Sequence, residues 1–209
     1  MRTLIFGLLF CLSLGANATA MLVIDGSGQL RGATGVVVGD TLFDVEFVEG
    51  ECIGVFGACV ESTSFTFTDP ADPTNGALAN AANDALLAQV FLDVPGGGQF
   101  DSQPELTFGC PPATPSRCNV LTPFNVMGSL LSVSRLSNTS AIIDEGSNLF
   151  ALFPNRTTVD GEQGAVGESV YARWTATGPV SPVPVPAALP LFLTALGGFG
   201  VMRRRRLKV

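Results

Sequence analysis

Histidine is absent from the chain, and its single lysine, Lys208, is the penultimate residue. Without imidazole, neither a Ser-His-Asp nor a Cys-His nucleophilic arrangement can be assembled. Without lysine in the body, a Ser-Lys pair is excluded too. Basic residues are scarce there. Residues 21–178 hold all 18 acidic side chains and oppose them only with Arg31, Arg117, Arg135, Arg156 and Arg173, a net charge of −13. Such a surface lacks the basic patches that nucleic acid or anionic lipid requires, so no nucleic-acid partner is expected. It favours solubility and tolerance of salt. Gly26-Ser27-Gly28 lacks the spacing of a nucleophile elbow. The glycines at 28 and 32 do not complete a phosphate-cradling loop either. We therefore expect no cofactor, no metal and no catalytic residue: a protein that is not an enzyme.

What the chain does possess lies first at its two ends. Arg2 followed by the apolar residues 4–14 has the make-up of a secretory leader. Small residues at Ala16, Ala18 and Ala20 suit signal peptidase, with cleavage after Ala20 or Ala18. An uncleaved anchor is the weaker reading, because the apolar run is short for a membrane span. Lipid attachment at Cys11 is weaker still, since Phe10 stands where a small residue is needed.

At the other end, Val183, Pro184, Val185, Pro186 and Ala187 precede an apolar run to Met202, and Arg203, Arg204, Arg205 and Arg206 follow. A helix over the 16 residues 187–202 would cover roughly 24 Å. That is shorter than a hydrocarbon core of roughly 30 Å, although snorkelling arginines and local thinning permit a short span. Four arginines with Lys208 behind them place this terminus in the cytoplasm under the positive-inside rule, with the body on the far side. Pro184, Pro186 and Pro190 keep the approach extended. Gly197, Gly198 and Gly200 weaken the helix and give it a small-residue face. An ordinary single-pass tail that is never processed is the plain alternative.

This order of proline motif, short apolar helix and arginine cluster resembles the PEP-CTERM class of bacterial sorting signals, in the variant whose motif runs Val-Pro-Leu-Pro-Ala. Val183, Pro184, Pro186 and Ala187 match, and Val185 replaces the leucine. Leu189-Pro190-Leu191-Phe192-Leu193-Thr194 and Gly197-Gly198 also look like that variant. The resemblance implies recognition by an exosortase-type membrane peptidase of a Gram-negative bacterium and cleavage near the proline motif. It also implies transit through the inner membrane as an anchored precursor, then transfer to the cell envelope, surface or extracellular matrix. Residues 42–48, with Cys52 behind them, look like exported proteins carrying such a tail, and no activity comes with that likeness.

Four cysteines remain once the leader is set aside, in two close pairs: Cys52 with Cys59 and Cys110 with Cys118. An oxidising compartment favours disulfides. Adjacent pairing would close two loops rich in turn formers, Gly54 and Gly57 in the first and Pro111, Pro112 and Pro115 in the second. Crossed pairing and free or metal-bound thiols are the alternatives, the last lacking Cys-x-x-Cys spacing or histidine partners.

The body, residues 21–178, reads as one mainly β domain: an antiparallel sheet or β-sandwich with one packed helix over about residues 75–91. Strands are expected at 21–24 and 35–38, broken by Gly26, Gly28 and Gly32. Phe43, Val45 and Phe47 alternate with Asp44 and Glu46, and residues 64–68 repeat the alternation. Asp72-Pro73 is expected to open the helix, with Leu78, Ala82, Ala85, Leu86 and Val90 as its apolar stripe. Residues 95–98 would stop it. Further strands are expected at 130–136, 141–143, 148–153 and 170–175. In the last, Val170, Ala172 and Trp174 point one way and Tyr171 and Arg173 the other. Residues 179–209 form the linker and sorting tail.

Three weaker chemical readings survive. Asp44, Glu46, Glu49 and Glu51 are dense enough for carboxylate-dependent hydrolysis, against the simpler reading of a wet strand face and its turn. Asp69 and Asp72, or Asp144 and Glu145, offer oxygens to calcium without the required loop spacing. Trp174 and Tyr171 would suit an extracellular polysaccharide as a platform, but strand aromatics usually pack in a core.

Overall fold

Alternation of apolar residues around Phe43, Val45 and Phe47 makes a strand with one dry face, and this strand organises half of the fold. In the computed structural model it is β3, Thr41–Val48, with all three side chains buried and Glu46 exposed. The structure describes residues 19–57, 59, 62, 65–93, 98–110, 117–127, 130–140, 145–152 (backbone only) and 169–180. β1 (Met21–Ile24) and β2 (Leu30–Val38) precede it. After it come α1 (Cys52–Phe56), α2 (Ala77–Gln89), β4 (Arg117–Met127), β5 (Leu130–Thr139), β6 (Glu145–Leu152) and β7 (Ser169–Pro179).

Among the described residues the strands form one seven-stranded sheet in the order β1-β2-β3-β7-β4-β5-β6. Neighbours are antiparallel except β4 and β7, which run parallel over Asn119–Leu121 and Ser169–Tyr171. The mainly β expectation with one packed helix therefore stands, as one mixed sheet. The last of the described strands in sequence, β7, lies at its centre.

Several local expectations are corrected. β2 starts at Leu30 and runs through Gly32, which does not break it. A Cβ there would stand 2.0 Å from the Val45 carbonyl oxygen, so glycine is what lets β2 approach β3 at its bulge. Phe65 and Phe67 belong to a turn, not a strand. Their alternation arises because Phe65 enters one apolar cluster and Phe67 the other. Thr66 Oγ1 donates to the Trp174 carbonyl at 2.8 Å and Thr68 Oγ1 to the Phe124 carbonyl at 2.7 Å. This turn thus bridges β7 and β4 where their short parallel pairing ends.

The helix begins later than Asp72. That carboxylate is occupied by an Asx turn, accepting from Thr74 N at 3.1 Å and Thr74 Oγ1 at 2.6 Å. Asn75 Oδ1 accepts the Ala77 N–H instead. The buried face of α2 is Ala79, Ala82, Asn83, Ala85 and Leu86, with Leu78 47% exposed. Beyond the end of β1, the last helical residue replaces a strand: Gln89 Nε2 donates to the Val37 carbonyl and Val37 N donates to Gln89 Oε1. This satisfies an otherwise open stretch of sheet edge. β4 was not expected, since Asn119, Pro123 and Asn125 are poor strand formers. β6 contains the expected 148–152, whereas 141–143 and Phe153 lie outside the described residues.

Both sheet faces are covered where β4, β5 and β7 meet. On one, α2 packs with Val90, Phe91, Phe100 and Phe67 over Phe47, Val120, Leu136 and Trp174. Phe47 stacks on Phe91 at 5.6 Å. On the other, α1 and Phe65 cover Leu121, Leu131, Val133 and Tyr171. The cysteines pair locally, Cys52 with Cys59 and Cys110 with Cys118, at Cα separations of 6.0 and 5.4 Å. Each closes a small loop, contributing about 2.5 kcal/mol on the chain-entropy account.

Candidate functional site

Strand alternation puts Asp44 and Glu46 on the same wet face of β3, and the β3–β7 register sets them opposite Thr175 and Arg173. Glu46 Oε2 receives Nη2 of Arg173, an ion pair with side chains 57% and 46% exposed. Asp44 Oδ1 accepts the Gly35 N–H at 3.0 Å across the β2 bulge. Glu49 and Glu51 follow the strand before α1, Glu51 exposed at the helix N-cap. The four acids are thus divided between a strand face and a loop. On the strand, Glu46 is paired with Arg173 at the surface, and half-buried Asp44 is tied to the Gly35 backbone. A carboxyl acting as a general acid needs instead an apolar wall that keeps it protonated.

The two calcium candidates resolve differently. Asp69 Oδ1 accepts the Ala71 and Asp72 N–H groups, so Asp69 and Asp72 are both engaged in local turns. Asp144 lies outside the described residues and Glu145 opens β6. Among the described residues, no group of three or more acidic or cysteine side chains converges as metal ligands would. Trp174 and Tyr171 lie on opposite faces of β7 in separate clusters, both buried. They form no shared platform. Trp174 meets Phe43 and Phe67 edge-on at 6.1 and 5.4 Å. Burial pushes the Tyr171 phenol up to about 12.

Gly26-Ser27-Gly28 is the β1–β2 turn, and its organiser is Asp25. Asp25 Oδ1 accepts from Ser27 N, Ser27 Oγ and Gln29 N at 2.9, 2.6 and 3.0 Å, and Oδ2 from Arg31 Nε at 2.7 Å. The Arg31 guanidinium in turn lies 3.4 Å over the Phe108 ring. The Ser27 hydroxyl first, then Arg31 and Gln29, hold this carboxyl well below its ordinary value. A depressed acid stabilises the fold above its unfolded pKa of about 4 and loses that contribution as pH falls through the folded value. Asp25→Asn should therefore weaken the native chain at neutral pH and leave a shallower acid limb of stability. Chemical denaturation from neutral to acid pH reads this, and parallel curves for the two chains would refute it.

One arrangement was not foreseen. Between α2 and the sheet lies a largely buried polar chain: Trp174 Nε1 donates to Thr122 Oγ1 at 3.1 Å, and Thr122 Oγ1 to Asn83 Oδ1 at 2.6 Å. Asn83 Nδ2 donates to the Ser134 carbonyl and hydroxyl at 3.0 and 2.8 Å, and Ser134 Oγ to Asn80 Oδ1 at 2.7 Å. The sequence signal was Asn80 and Asn83, three apart and so on one helical face among alanines. All its members are neutral, so it can fix helix register but carries no group suited to proton transfer near pH 7.

The sorting motif Val183, Pro184, Val185, Pro186 and Ala187, the basic stop Arg203 to Arg206, and Ala18 all lie outside the described residues. Ala20 is described, and it packs against the larger cluster. Among the described residues no helix is long and apolar enough to cross a membrane. No protein family, characterised protein or solved structure matches the chain.

Proposed function

We propose that this chain is an exported, non-enzymatic protein of the cell envelope or extracellular matrix, delivered through its C-terminal sorting segment. The observation that carries the reading is the order of parts in residues 183–206: proline motif, apolar run too short for an easy span, four arginines. The residues resemble a PEP-CTERM signal, which implies an exosortase-type peptidase as processing partner and signal peptidase at the leader. Two local disulfides support it, because such bonds persist in oxidising compartments. An acidic body suits a hydrated matrix, where extracellular polysaccharide is the partner class.

Removing residues 183–209 should move the protein from the envelope fraction to the periplasm or the medium. The intact mass of the native protein then separates the processed form from a permanently tethered one. Loss of Arg203 to Arg206 marks processing, and their retention on a mature chain marks an ordinary anchor. An unchanged location after truncation would remove the reading altogether.

A further inference from the structure

The second apolar cluster has a cover that cannot hold itself. α1 has five residues and no side-chain hydrogen bond at its N-cap, and helices so short do not persist alone. It turns Cys52 and Val55 inward, while Ile53 stays 49% exposed. Phe56 meets Tyr171 edge-on at 5.6 Å and Phe65 at 5.5 Å. Beneath it Leu121, Leu131, Val133 and Tyr171 are almost wholly buried.

The chain on either side is secured without α1. β3 is laddered to β2 and β7. Downstream, Thr66 and Thr68 bond to the Trp174 and Phe124 carbonyls, and Val126 N donates to Ser62 Oγ at 3.1 Å. Gly50 and Gly57 stand on either side of the helix at φ values of 133° and 76°, backbone conformations that favour glycine. Between these anchors the covalent tie is Cys52–Cys59.

We infer that α1 is a redox-dependent lid over the Leu121, Leu131, Val133 and Tyr171 face of an otherwise intact sheet. Opening requires an external dithiol. It delivers two electrons and two protons, the Cys52–Cys59 bond breaks to two thiols, and the dithiol closes to its own disulfide. An external disulfide reverses the exchange: the two thiols give up two electrons and two protons, the Cys52–Cys59 bond re-forms, the external disulfide is reduced to its dithiol, and the cover is restored. This goes beyond the sorting reading, and its test needs only the folded chain.

The chain has one tyrosine, so phenol ionisation reports on this face alone. With Tyr171 raised to about 12, a rapid jump to about pH 11 leaves the covered phenol mostly protonated. In C52A/C59A the phenolate-to-phenol ratio should rise by about a hundredfold, as expected for a phenol returned to its ordinary value. Far-UV dichroism should still report the sheet. C110A/C118A, whose cysteines lie in the other cluster, should leave Tyr171 covered. In that background, reduction by dithiothreitol and reoxidation should switch the ratio up and back. An unchanged ratio in C52A/C59A overturns the inference, because the cover then holds without its staple. So does loss of the sheet in that variant, or exposure of Tyr171 in C110A/C118A before reduction, since either means global unfolding.

Discussion

Trp174→Ala should lower the unfolding free energy by about 3–5 kcal/mol, the range for a large aromatic removed from a packed core. Trp174 is 6% exposed and sits where three elements meet. Its ring contacts Phe43 of β3 and Phe67 of the bridging turn, and its indole N–H reaches Thr122 of β4. The backbone around it cannot collapse easily, because the Trp174 carbonyl is itself held by Thr66. A cavity therefore persists, which is the costly case. Against a typical domain stability of about 5–15 kcal/mol, such a loss brings the chain near its threshold. Trp174→Phe separates the two contributions: it keeps most of the ring and loses the donor, at about 1 kcal/mol plus a small void. Urea denaturation reads both, as a lower midpoint at constant slope. A Phe variant as damaged as the Ala variant would show that the hydrogen bond, not the ring, dominates.

Asn83→Asp should be nearly as damaging at neutral pH, at about 3–5 kcal/mol, because it leaves a buried charge without a compensating partner. Asn83 is fully buried, and the groups that bond it are the neutral Thr122 and Ser134. A carboxylate would keep the Thr122 donor, but would turn an oxygen toward the Ser134 carbonyl where an amide N–H now points. Desolvation raises the folded pKa of such an acid. The native state then holds its proton more tightly than the unfolded one, so stability falls as pH rises above about 4. Below that pH both states are protonated, and only the lost amide geometry remains. Stability of the variant should thus improve on acidification, opposite in sign to the contribution of Asp25. A pH series of denaturation midpoints checks this, and a flat difference from the parent chain would show that water reaches the site.

How much of this was legible beforehand varies with the range of the interaction. Phe43, Val45 and Phe47 announced β3 because each side chain needs only its own strand's pleat to reach the dry face. Local disulfide pairing could be favoured on loop closure, and that is the pairing found. The start of α2 is not legible in the sequence, because Asp72 has two local uses, cap or Asx turn, and the fold takes the second. Leu78 faces solvent against expectation for a related reason. Hydrophobicity favoured it over Asn83, and only Thr122 and Ser134, far away in sequence, reverse the choice.

The sequence by itself determined the acidic balance of the body, the absence of imidazole and lysine chemistry, the alternating strand and the pattern of close cysteine pairs. These depend on composition or on residues a few positions apart. Tertiary structure alone decided that the last strand enters the middle of the sheet beside β3 and parallel to β4, and that Phe65 and Phe67 serve opposite faces. It also decided that amides and hydroxyls line the helix–sheet contact. Each of these is a contest between distant segments for the same partners, and the winner is set by which surfaces and hydrogen bonds can be satisfied together, a condition no short window of residues contains.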